Sequence, residues 1–129
     1  MATSITVEIA PGELIDKLTI LRIKAACIAD PAKVANVVIE RDLLAARWHS
    51  LPGTDALNNL VEELTAINGA LWQIEDEIRD CERTQDFGPK FIELARSVYK
   101  TNDRRAAVKR AINEALGSTI IEEKSYSAY

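Results

Sequence analysis

The chain has 129 residues, of which 47% are apolar, 28% charged and 5% aromatic, with five glycines, four prolines and a formal charge of −4. That composition excludes collagen-like, disordered, disulfide-rich and multidomain architectures and leaves one compact domain of the all-α kind. A chain of this length removes about 68% of its unfolded surface from water, enough for a core without disulfides or metals.

The amino terminus, Met1 to Ile5, lacks the basic flank and the about 7 to 15 apolar residues of a secretory signal. The longest apolar run, Ala25 to Ala29, falls far short of the roughly 20 residues a bilayer span needs. The expectation is a cytoplasmic protein with no membrane partner. Ile5, Val7 and Ile9 then alternate with polar residues and predict a short extended segment.

Pro11 suits a first helical position, where its missing N–H costs nothing, and Leu14, Leu18, Leu21, Ala25 and Ile28 step by three and four. Asp30 and Pro31 restart a helix, with Asp30 as its cap. Val34, Val37, Leu44 and Trp48 mark one side of it until Leu51-Pro52-Gly53. Cys27 and Cys81 fall where a helix would turn inward, which predicts buried free thiols in a reducing compartment.

The third segment carries the strongest periodicity: Leu57, Leu60, Leu64, Ile67, Leu71, Ile74, Ile78 and Cys81 alternate three and four apart. A repeat averaging 3.5 residues keeps one seam facing its neighbours and favours coiled-coil-like packing. A helix from 54 to 83 would run roughly 45 Å. The same seam offers a contact for a C2 homodimer. Gly88-Pro89 opens a fourth helix with Phe91, Leu94, Ala95, Val98, Val108 and Ile112 inward, and Gly117 offers a left-handed stop. Thr101-Asn102-Asp103 interrupts that rhythm and predicts a kink, or a restart capped by Asn102. The β-branched run from Ser118 to Ile121 predicts a second extended piece, placed to pair with the first or with a second chain.

Charge is unevenly spread. Asp55 to Glu82 holds eight acids and one base, and Arg96 to Arg110 holds six bases and one acid. A basic run suits phosphates, but antiparallel neighbours would satisfy each other within the molecule, so no nucleic-acid partner is expected. His49 is the sole histidine, too few for the Glu-x-x-His pairs of di-iron bundles or for a zinc set. The acids Glu75, Asp76 and Glu77 lack a second carboxylate pair at matching spacing on the next helix. Phosphate-cradling glycine motifs and hydrolase elbows are absent. No metal or cofactor is therefore expected.

Beside the seam runs a polar stripe of Thr65, Asn68, Trp72, Glu75, Arg79 and Glu82; the fourth helix carries Arg96, Tyr99, Asp103, Arg110 and Asn113, and the first adds Asp16, Lys17 and Lys24. Facing one another, these helices would bring an acid, several bases and an aromatic to one groove, the mixed lining of ligand sites. The same residues equally suit a network of interhelical ion pairs that sets register.

Four stretches, Pro11 to Leu21, Leu71 to Arg79, Phe91 to Asp103 and Glu122 to Tyr126, together resemble an uncharacterised bacterial family of small helical proteins, a domain of unknown function. The resemblance spans nearly the whole chain. It implies genes near, or fused to, glycosyltransferases and tetratricopeptide-repeat proteins of surface-polysaccharide clusters, and hence a glycosyltransferase partner. It supplies no catalytic residues. Arg22 stands where an acid is usual in the family, which makes it a poor candidate for a shared site.

The expected fold is an antiparallel four-helix bundle with a kinked last helix and short extended termini. The expected role is a non-enzymatic binding or assembly module serving polysaccharide synthesis. It would take an anionic or sugar-nucleotide ligand, or an acidic partner segment, in a groove lined by Lys17, Trp72, Glu75, Arg79, Arg96, Tyr99 and Arg105. The competing reading is a small cofactor-free enzyme, with Glu75 as general base and Lys17, Arg96 or Arg105 steadying negative charge. Burial of Glu75 separates the two.

Overall fold

In a computed structural model, which describes residues 3–129, the chain forms four helices: α1 (Pro11–Cys27), α2 (Pro31–His49), α3 (Asn58–Thr84) and α4 (Pro89–Ala115). A 3-10 turn at Thr54–Leu57 leads into α3. Proline occupies the opening of α1, α2 and α4, where a missing N–H and a fixed φ are both harmless. The Asp30 side chain accepts from Ala32 N–H at 3.0 Å, the cap its position predicts. Gly117 adopts φ 65° just beyond α4, and Ser118 N–H closes the turn on the Asn113 carbonyl at 2.9 Å.

The helices pack up-down-up-down. The core joins Leu14, Ile15 and Leu18 of α1 to Trp48 of α2, Leu57 and α3 residues Leu64 and Ile67, and Val108 and Ile112 of α4. Ile15, Leu18, Leu64, Ile67 and Ile112 are fully buried, each contributing about 1.5 to 3 kcal/mol of transfer free energy. Further along the α3 seam Leu71, Ile74 and Ile78 are only half-buried, so the core is concentrated at one end.

Three expectations are corrected. α4 runs unbroken through Thr101-Asn102-Asp103. Thr101 is buried, and the Asp103 carboxylate is taken by Lys124 and Tyr129 and so does not compete for the helical hydrogen bonds. Cys81 is buried, but Cys27 is exposed: nine residues after Leu18, it falls about two and a half turns on and so on the opposite side of α1. The two extended termini do not pair. Residues 118–129 instead lie along α4, fixed by Lys109–Glu122, Arg110–Glu123 and Lys124–Asp103 contacts.

α1 approaches α4 closely at Gly12. A Cβ built there would lie 2.5 Å from the Lys109 carbonyl oxygen and 2.8 Å from Asn113 Oδ1, and both atoms are held by helix or hydrogen bond. Gly12→Ala should therefore destabilise the fold by about 2 to 4 kcal/mol in denaturant melts; a cost under 0.5 kcal/mol would contradict this packing. Gln85, at the end of α3, adopts φ 59°, a left-handed conformation that strains any residue with a Cβ. Gln85→Gly should raise stability by about 1 kcal/mol in the same assay.

Candidate functional site

Polar groups gather where α1, α3 and α4 meet. Asp16 is 1% exposed, yet it lies on α1 among Leu14, Ile15 and Leu18, a position that apolar periodicity would assign to the core. Burying a lone carboxylate is costly, and two neighbours bond it directly. Arg105 of α4 grips both carboxylate oxygens with its Nε and Nη2, the first at 2.9 Å, a bidentate fork. Asn68 Nδ2 donates to Asp16 Oδ1 at 2.9 Å and to Thr19 Oγ1 at 2.9 Å. Thr19 Oγ1 in turn donates to the Asp16 carbonyl at 2.8 Å.

Lys109, one turn beyond Arg105, extends the network. Its Nζ lies 2.7 Å from Glu13, 3.1 Å from Glu122 of the tail and 4.0 Å from Asp16. Asn113, a further turn on, accepts from Gly12 N–H at 2.7 Å. That bond supplies the first turn of α1 with a cap its own preceding residue, Ala10, cannot provide. No buried side-chain polar atom is left unpaired among the described residues.

Charge states follow from these contacts. Burial pushes the Asp16 carboxyl up, but the Arg105 and Asn68 hydrogen bonds and the Arg105 and Lys109 charges outweigh it and hold it below the usual carboxylate range. The Asp16 bond raises Arg105 against the pull of burial. Burial lowers Lys109, and the bonds to Glu13 and Glu122 more than restore it. All three groups stay ionised around neutrality.

Above this network, α4 and the tail enclose an open groove of about 540 Å³. Tyr99, Asn102, Arg105 and Lys109 line one side; Glu122, Glu123, Lys124, Ser125 and Tyr126 line the other. The tail is further anchored at its end, where Tyr129 O–H donates to Asp103 at 2.6 Å and its ring meets Tyr99 edge-on at 5.2 Å. The Lys124 and Tyr129 hydrogen bonds keep Asp103 below the ordinary carboxylate range, and the same bond pushes the Tyr129 hydroxyl up.

Of the residues that sequence reasoning assigned to a groove, Tyr99 and Arg105 share this lining, and the other five lie outside it. Lys17 is exposed and 4.0 Å from Glu40 of α2. Glu75 and Arg79 pair with each other on the outside of α3, their side chains 53% and 71% exposed. Arg96 reaches Glu93 at 3.7 Å, and Trp72 is half-buried. Sequence reasoning missed Lys109, Glu13 and Glu122. The signal that could have exposed the network is polarity at inward positions: Asp16 and Thr19 sit inside the apolar stripe of α1, and Asn68 follows the fully buried Ile67.

The chain belongs to DUF6165, a family of unknown function whose model matches residues 5–129. Neither the curated proteins nor the solved structures contain a match to it.

The Asp16 pairing makes two measurements decisive. Asp16→Asn leaves Arg105 without its anion and should cost about 2 to 4 kcal/mol. Because the folded carboxyl titrates below its unfolded value, the parent holds this contribution above pH about 4 and loses it as pH falls through the lowered value. Urea melts across that window should show a steep acid limb in the parent and a flatter one in Asp16→Asn; equal slopes would refute the assignment.

Proposed function

We propose, for this member of a family without an assigned role, that the chain is a non-enzymatic binding module whose groove between α4 and the tail takes a small anionic ligand bearing hydroxyls. The observation that carries this reading is the groove's mixed lining. Arg105 and Lys124 present cations that Asp16 and Asp103 also engage, Asn102 and Ser125 neutral polar groups, and Tyr99 and Tyr126 aromatic rings along one open cleft. Glu122 and Glu123 add acceptors for hydroxyls.

A nucleotide sugar matches each of these elements. Its diphosphate suits an arginine and a lysine, its sugar hydroxyls suit amide and carboxylate groups, and its planar base suits tyrosine faces. Sugar nucleotides are also the donors that glycosyltransferases consume, which connects this ligand class to a role in polysaccharide synthesis. An acidic partner segment would use the same cations, since Lys109 and Arg110 already hold Glu122 and Glu123 of the tail. The enzyme reading has weaker support. A general base at Glu75 needs a site that excludes water around it, and this carboxylate stands in solvent beside Arg79.

Calorimetric titration of the full chain with a uridine diphosphate hexose, and separately with inorganic pyrophosphate, tests the proposal. Saturable binding is expected, weakened about tenfold or more by Tyr99→Ala or Lys124→Ala, a loss of about 1.4 kcal/mol, and unchanged by Arg79→Ala. Absence of saturable heat with both probes, or equal binding by all variants, would discard the groove as a ligand site.

A further inference from the structure

α2 is apolar on two opposite faces. Trp48 is buried, with Leu44 and Ala45 packed beside it against the core, while Ala32, Ala35, Ile39, Leu43 and Ala46 form a second stripe, stepping by three and four, that is exposed along its whole length. Ile39 and Leu43 each keep 70% of their surface in water. A helix apolar on both sides is suited to burial on both, and this one has a neighbour on one side only.

The whole molecule carries the same mark. It exposes 8867 Å², whereas a compact monomer of 14.3 kDa exposes about 6,800 Å². Residues 3–9 and 119–129 are exposed throughout and share this excess of about 2,000 Å² with the outer face of α2; a stable interface takes about 800 Å² from each partner.

We propose that the outer face of α2 pairs with the same face of a second copy of this chain, antiparallel, about a twofold axis that crosses between Ile39 and Leu43. The stripe is self-complementary in that register. Ile39 of each copy meets Leu43 of the other, and Ala35 and Ala46 let the two backbones close. The charges agree with it. Glu40, which Lys17 of its own chain approaches at 4.0 Å, and Arg47 occupy the same flank on either side of the axis, so each Glu40 comes within reach of Arg47 of the other copy. On the opposite flank each Asp42 approaches its own symmetry mate with its charge already held by Arg41 at 3.1 Å. The contact shares no residue with the groove lining and stands independently of any ligand there.

Sedimentation equilibrium of the full chain between about 1 and 100 μM, the range that spans ordinary dimer affinities, tests this. The parent should run as a dimer, and Leu43→Glu should be monomeric with an unchanged helical circular dichroism spectrum. Arg47→Glu should weaken the dimer about tenfold or more, and the double variant Glu40→Arg with Arg47→Glu should restore it. A parent that stays at 14.3 kDa throughout, an oligomer indifferent to Leu43→Glu, or a charge swap that restores nothing would each overturn the proposal.

Discussion

Asp16 lies where a negative charge cannot stand alone, and the placement of α1 against its neighbours follows from the groups that keep it charged. Arg105 must come from α4 and Asn68 from α3, so one carboxylate fixes the height of three helices relative to each other. Greasy contacts would tolerate a slide by a turn at modest cost; a forked ion pair with a shared amide does not. Breaking such a buried pair is far more harmful than its net contribution suggests, because the surviving charge has no partner.

Around this fixed point the molecule is unevenly built. The end that contains Leu18, Leu64, Ile67 and Ile112 is sealed, whereas the far halves of α3 and α4 form an arm in which Leu71, Ile74 and Ile78 remain partly wet. The polar network belongs to the sealed end, where low dielectric strengthens its bonds, and the groove lies directly over it. Groove-lining groups such as Arg105 therefore stand on a rigid floor.

The helices were legible because their signals are local. Proline at the openings, Asp30 as a cap, Gly117 as a stop and the three-four spacing of leucines and isoleucines all act within a few residues of themselves. Spacing also placed Glu75 and Arg79 on one face of α3, but it could not tell which face, and the pair points to solvent. Residues meeting across about a hundred positions, such as Glu13 with Lys109 or Gly12 with Asn113, leave no periodic trace in a single sequence. At Thr101 to Asp103 the polar residues leave the helix intact, because the Asp103 carboxylate is taken by Lys124 and Tyr129 of the tail. The terminal β-branched run likewise found α4 rather than another strand, through charges that strand patterning does not weigh.

The bond between Gly12 N–H and Asn113 Oδ1 spans 101 residues, which gives the order of synthesis a bearing on folding. When α1 leaves the ribosome its first turn has no acceptor, and Asp16 has no cation. Both arrive only when α4 is made, 101 and 89 residues further along, about 5 to 20 seconds later at ordinary elongation rates. The first helix thus waits for the last to supply its cap and its counter-charge, and its native contacts with α4 form late in synthesis of the domain.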